Sequence, residues 1–196
     1  FLHEAIWPLI RKSLPNANLR LYGAYLPQSV TQLHQPKKGF EVLGWSENLD
    51  AEIQKSKVCL VPLRFGAGIK GKVVDGLRNG TPTVATSIAA EGMHPMKTFD
   101  SAEAFAKQAI TFYTNQTEWE KAQTSGKNDL KNHYDKKQWS KVLLSQLSRV
   151  QGNLIAHRRN NFTGSMLQHH SHNASKYLSK WIEEKNANQP KGPSES

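Results

Sequence analysis

A chain of 196 residues with 37% hydrophobic and 21% charged residues is long enough for one well-cored domain and an appendage, and short for two domains. No apolar run approaches the roughly 20 residues that a membrane-spanning helix needs. The first residues also lack the basic start, apolar core and cleavage site of a signal peptide. The composition therefore predicts an ordinary globular protein.

The net charge of +10 predicts anionic partners, which include nucleotides, nucleic acid and anionic membrane surfaces. Residues 149–196 hold seven Lys or Arg against three Asp or Glu, but the rest of the chain is basic as well. Because the excess is spread along the chain, we expect no specific nucleic-acid site. The single cysteine, Cys59, lies in an apolar run, which indicates a buried, inert thiol and a reducing, cytoplasmic compartment.

The first hundred residues alternate between helical and strand-like patterns. The first apolar residues have the spacing of a buried helix face, namely Leu2, Ala5, Ile6, Leu9 and Ile10, and Pro8 is expected in a first turn or at a kink. Four short runs read as strands, namely NLRLYGA, FEVLGW, KVCLVPL and TPTVATS, and polar helical segments lie between them near 28–34 and 48–56. We therefore predict an α/β fold with a Rossmann-like parallel sheet and helices on both faces. Ligands of such sheets bind beyond the carboxyl ends of the strands.

The second half of the chain reads as helices. Ser101 is the expected N-cap of the first of three helical stretches. Apolar residues from Asn161 onward recur every three or four positions, which predicts one long amphipathic helix. We expect a nucleotide-binding domain at 1–150, a helical extension at 151–186 and a disordered tail at 187–196.

The stretch RFGAGIKGKVVDGLRNG, residues 64–80, carries the most chemistry. Gly66 and Gly68 allow a sharp turn and a close backbone approach to a ligand. A helix that begins near Ile69 or Lys70 would present free N–H donors and its positive dipole end to that loop. Arg64, Lys70 and Lys72 add positive charge, so the stretch suits an anion such as a phosphate.

Asp75 is the single carboxylate of this stretch, and it lies more than a turn beyond the expected helix start. At 1.5 Å per residue it is displaced by roughly 7 Å from the helix start, where it suits the hydroxyls of a ribose. A structural interpretation stays open, because Lys72 and Asp75 at i, i+3 also suit a plain surface ion pair. The loop matches neither a Walker P-loop nor G-x-G-x-x-G.

The order of elements around this stretch resembles a known family. A strand ends in Gly-aromatic, a polar helix follows, and an apolar strand ends in proline before the glycine loop. The matching features are Gly44–Trp45, Pro62, Gly66 to Gly71, Asp75, Gly80 to Val84 and Glu91–Gly92. Residues 1 to about 150 thereby resemble the donor-binding half of GT-B glycosyltransferases, of the retaining, family 4 type that is also called glycosyl transferases group 1.

The resemblance implies a role for each matching residue. The backbone at Gly44 and Trp45 would border the nucleobase, and Asp75 would bind the ribose hydroxyls. The diphosphate and donor sugar would contact the loop and the helix start, through Arg64, Gly66, Gly68, Ile69, Lys70 and Lys72, with Glu91 near the sugar. Lys72 would be the main contact and Lys70 the second, and Lys72 and Asp75 are the catalytic candidates. Many relatives have glutamate where this chain has Ala67.

The resemblance also implies the reaction and the partners. The donor would be a nucleotide-diphosphate sugar, transferred with retention of configuration and without a metal or other cofactor. The acceptor-binding N-terminal domain and the first strand of the donor domain would lie upstream of Phe1. We therefore expect a fragment that is inactive without its N-terminal domain, because transfer depends on positioning donor and acceptor together.

Two functions of different class follow from the sequence. The first is the donor-binding domain of a glycosyltransferase, and the second is a non-catalytic basic α/β module that binds nucleic acid or a protein partner. Peripheral contact with the inner face of the membrane would suit the basic helix after HRRNNFTG. His169 and His170 are interpreted as surface residues rather than metal ligands, because adjacent helical positions point about 100° apart.

Overall fold

The computed structural model describes residues 1–93 and 96–187, without the side chains of 170–172 and 186–187. The chain forms two compact units, one spanning Phe1–Asp135 and the other beginning at Lys136. The predicted boundary at residue 150 lies inside a helix of the second unit. Beyond residue 187, the predicted tail lies outside the described residues, as does the side chain of His170.

The first unit alternates strands and helices. Its strands are β1 (Leu19–Tyr22), β2 (Phe40–Gly44), β3 (Cys59–Val61) and β4 (Thr83–Ala85). Its helices are α1 (Trp7–Ser13), α2 (Gln28–Thr31), α3 (Leu49–Lys55), α4 (Gly71–Arg78), α5 (Ala102–Thr114) and α6 (Gln116–His133). All four predicted strands are therefore present, and the helices between them lie where the polar pattern indicated.

Helix α1 shows how the chain accommodates a proline inside a buried helix. A π-helical turn at Leu2–Ile6 leads directly into α1, and Pro8 is in the first turn of α1, the part of a helix that tolerates proline best. Ile6 and Ile10 are buried in the core. The first-turn proline is confirmed. The predicted face is confirmed only in part, because Leu2 and Ala5 are half-buried and Leu9 is exposed.

The strands form two parallel pairs. Leu19 pairs with Phe40 in the β1–β2 pair, and Cys59 pairs with Thr83 in the β3–β4 pair. Within the described residues, no β-ladder connects one pair to the other. The parallel α/β class is confirmed, and its strands form two two-stranded sheets rather than one continuous sheet.

One hydrophobic core holds both pairs in the same unit. Its buried members come from the π-helical turn, α1, the loop before β1, both sheets and α5, namely Ile6, Trp7, Ile10, Ala17, Leu19, Phe40, Val84, Phe105, Ala106 and Ala109. The rings of His3 and Trp7 meet Phe40 edge-on, with centroids 4.9 and 6.4 Å away. A smaller cluster under α4 contains Val61, Val73, Ala85 and Ala89.

Cys59 lies at the packing surface between β3 and α4. Burial raises the pKa of its thiol to about 11, a shift that the charge of Asp75 reinforces and a hydrogen bond with Thr83 opposes. A thiol with so high a pKa remains protonated at neutral pH and is a poor nucleophile. The predicted inert cysteine agrees with this environment.

The second unit is helical, with α7 (Lys136–Gly152), α8 (Leu154–Asn160) and α9 (Phe162–Ala187). Helix α9 is the long helix predicted from Asn161 onward. Its apolar stripe is largely exposed, with Leu167, Leu178 and Trp181 each more than half accessible. Among the described residues, no helix combines the length and the apolar character that crossing a membrane requires.

Candidate functional site

The glycine loop, defined here as residues 64–70, joins β3 to α4. Gly66 and Gly68 have φ angles of 142° and 71°, which residues other than glycine rarely adopt. The loop leads into α4, whose N-cap is Lys70. No side chain caps this helix, so the N–H groups of Gly71 and Lys72 have no side-chain partner, whereas that of Val73 donates to the carbonyl of Lys70. The helix begins at Gly71, one or two residues after the predicted start at Ile69 or Lys70.

Packing against the strands holds α4 in place. Val73 and Gly76 are its buried residues, and a Cβ atom on Gly76 would lie 3.2 Å from the Cβ of Cys59. The hydroxyl of Thr86 donates a 2.6 Å hydrogen bond to the carbonyl of Leu63, which joins the end of β4 to the start of the loop region. These contacts hold the start of α4 against β3 and β4.

Lys70 is buried under the glycine loop, with only 6% of its side chain exposed. Its ammonium donates hydrogen bonds to the carbonyls of Gly68 at 2.6 Å and Gly66 at 3.4 Å. It also forms an ion pair with Glu91, with Nζ and Oε2 3.2 Å apart. The structure therefore brings together Lys70, Glu91 and both loop glycines, four of the residues predicted for the site.

Lys72 and Asp75 lie on the first two turns of α4. Lys72 is exposed, and in the part of the chain that the structure describes it forms no ion pair. Asp75 instead pairs with Arg78, across 3.4 Å. The surface pair between Lys72 and Asp75 that the sequence left open is not formed, so the charge of Lys72 is available to a ligand.

A polar network between α3 and α4 was missed by the sequence reasoning. Arg78 donates to Asp50 at 2.7 Å, and the amide of Asn79 donates to the same carboxylate oxygen at 2.9 Å. Gln54 in turn donates to Asn79 at 2.9 Å. Nothing in the local sequence indicates these contacts, because they join side chains 25 to 29 positions apart.

The remaining predicted residues surround the loop or follow β2. Gly44 ends β2 with φ 76°, and the Trp45 side chain after it is 69% exposed. Ile69 is exposed on the loop, and its side chain is close to Gly92, the neighbour of Glu91. The guanidinium of Arg64 stacks over Phe1 at 5.2 Å from the ring centroid. The hydrogen bonds and ring contacts of the described residues do not join Gly44 or Trp45 to the loop.

The loop and the start of α4 have a recurrent local geometry. A glycine turn after a parallel strand, followed by an uncapped helix start with an unpaired lysine, is typical of α/β domains that bind phosphorylated ligands at this edge. The model of the family described as glycosyl transferases group 1 matches residues 1–115. The chain therefore belongs to that glycosyltransferase family.

A solved structure has the same fold. A mutant of S. aureus TarM, in complex with fondaparinux, alpha-GlcNAc-glycerol and UDP, matches with a TM-score of 0.63 at 12% sequence identity. The match covers 74% of this chain and 31% of the TarM chain, so this chain spans about a third of that structure. A search of curated proteins found no significant match. The fold of one half of a GT-B glycosyltransferase, which the resemblance implied, is confirmed.

Proposed function

We propose that the glycine loop and the start of α4 bind the diphosphate of a nucleotide-sugar donor in a retaining sugar transfer that needs no metal. The observation that carries the proposal is the uncapped start of α4, with the unpaired Lys72 on its first turn. As the nucleotide leaves, the helix dipole and Lys72 would stabilise the negative charge that develops on the diphosphate. The UDP in the TarM complex supports a nucleoside diphosphate as the ligand.

The ribose and the base complete the proposed donor site. Asp75 lies one turn further along α4, and its carboxylate is about one-third exposed. Its hydrogen bond from Arg78 is long at 3.4 Å, which leaves acceptor positions for two ribose hydroxyls. Trp45 and Gly44, at the carboxyl end of the parallel strand β2, would border the base.

Calorimetric titration of the chain with UDP, GDP and ADP tests this proposal. We expect saturable binding of at least one of them, and a loss of about tenfold or more in affinity in Asp75→Ala, because hydrogen bonds to a carboxylate contribute about 1.5–3 kcal/mol. Glu103→Ala, an exposed carboxylate on α5, is the matched control and should leave the affinity unchanged. No binding at millimolar concentration of any of the three would contradict the proposal.

The proposal includes a larger polypeptide, with an acceptor-binding domain and one further strand. The N–H groups of Leu19 and Gly23 point toward β2, and that of Cys59 points toward β4. Since successive residues alternate, Arg20 and Leu60 direct their backbone groups to the opposite edges of the two pairs. A strand that precedes Phe1 and lies between β1 and β3 would satisfy both edges and join the pairs into one sheet.

Hydrogen exchange on a longer form of the chain tests this strand. Extending the natural reading frame upstream should slow amide exchange at Arg20 and Leu60, because both amides would become ladder donors. The amides of Leu19 and Cys59, which already donate within the pairs, serve as internal controls. Unchanged exchange at Arg20 and Leu60 in the longer form would exclude a strand at this position.

A further inference from the structure

We propose that Lys70 and Glu91 act as a positioning pair, the Lys70–Glu91 clasp, which holds the glycine loop in its ligand-binding shape rather than contacting the ligand. The inference rests on the proposed function of the loop. Lys70 and Glu91 pair with each other to hold the loop, and Lys72 is the lysine that contacts the diphosphate.

The buried ammonium of Lys70 has no hydrogen-bonding capacity left for a ligand. A lysine ammonium has three N–H donors. In Lys70 they meet three acceptors, the carbonyls of Gly66 and Gly68 at 3.4 and 2.6 Å and the Glu91 carboxylate at 3.2 Å. With its donors used and its side chain only 6% exposed, Lys70 has neither a free N–H nor an open path to a ligand.

The clasp connects the glycine loop to the segment after β4. The two carbonyls belong to the glycines with positive φ, where the backbone has few steric restraints of its own. Glu91 belongs to a different segment, after β4, and its neighbour Gly92 is close to Ile69 on the loop. The ammonium therefore joins a flexible turn to a segment supported by the sheet, so that the loop is ordered before a ligand arrives.

The charge of Glu91 distinguishes a positioning role from a direct electrostatic effect on the ligand. Glu91 is 63% exposed and negative, and a negative group near a phosphate site ordinarily weakens anion binding. If Glu91 acted only through its charge, removing it would strengthen diphosphate binding. The clasp predicts the opposite, because without Glu91 the buried ammonium loses its counter-charge and the loop loses its anchor.

Nitrogen-15 NMR relaxation of the loop, measured on the chain without nucleotide, tests the clasp directly. We expect Glu91→Ala to lower the backbone order parameters of residues 66–71 from about 0.85, typical of rigid backbone, to below about 0.6. Glu91→Gln keeps an acceptor oxygen and should restore part of the order. Lys70→Met should loosen the loop further, whereas Lys72→Met, the matched loss of a lysine, should leave the order parameters of the loop unchanged. Equal order parameters in Glu91→Ala and the parent chain would overturn the proposal.

UDP titration of the same variants separates positioning from direct contact. We expect Glu91→Ala to weaken UDP binding by about threefold to tenfold despite the removal of a negative charge. Tighter UDP binding in this variant would overturn the positioning role. If the parent chain binds no UDP but the order parameters of the loop still fall in Glu91→Ala, the proposed function fails and the clasp as a structural element stands.

Discussion

Replacing Lys72 by methionine is expected to lower the affinity of the chain for UDP by about tenfold to a hundredfold. The reason is that Lys72 is the exposed, unpaired cation on the first turn of α4, where a diphosphate would meet both its ammonium and the N–H groups of the helix start. A charge-assisted hydrogen bond contributes about 1.5–3 kcal/mol, which corresponds to that range of affinity. Calorimetric titration at constant ionic strength measures the change.

Two control variants make the Lys72 result specific. Lys107→Met removes the same charge from an exposed position on α5 and should leave UDP affinity unchanged. Lys72→Arg retains the charge and should retain most of the affinity, although its geometry differs. Equal UDP affinities in Lys72→Met and the parent chain would show that the start of α4 is not part of the donor site.

Replacing Gly76 by alanine is expected to destabilise the first unit by about 1–3 kcal/mol. Gly76 lies on the buried face of α4, and a methyl group there would overlap the hydroxyl of Thr83 and press against the Cβ and Sγ of Cys59 at 3.2 and 3.3 Å. Relief requires α4 to move away from β3 and β4, which also displaces the helix start that the donor site uses. Urea unfolding followed by tryptophan fluorescence measures the loss.

Gly71→Ala is the matched control for this prediction, since it makes the same chemical change on the same helix. A Cβ on Gly71 would meet nothing within 4 Å, so the substitution should be neutral or slightly stabilising, because alanine favours helix over glycine. If the two variants unfolded at the same urea concentration, the close contact at Gly76 would make no difference to the free energy of unfolding.

Local patterns predicted the elements of this protein well because each depends on residues near it in the chain. The spacing of apolar residues located the helices, and short β-branched runs located the four strands. Ser101 caps α5 as expected, since its side chain accepts a hydrogen bond from the N–H of Ala104, three positions later. The order of glycine, proline and acidic residues identified the glycosyltransferase family.

The roles of individual charged residues could not be read in the same way. The sequence places Lys70 and Lys72 two positions apart in equivalent surroundings, yet the first is buried and the second exposed. It also offers Asp75 a lysine at i, i+3, whereas the folded chain pairs it with Arg78. Which lysine is buried depends on which side of α4 faces the segment after β4. That segment is about twenty residues away in the chain.

The sequence alone determined the class of fold, the family and the loop at which a donor is proposed to bind. Only the tertiary structure decided that the strands form two pairs, that Asp50 and Asn79 join α3 to α4, and that Lys70 is held by Glu91. The physical reason is that periodicity and turn chemistry act between neighbours in the chain, whereas burial and charge pairing arise only when distant segments meet.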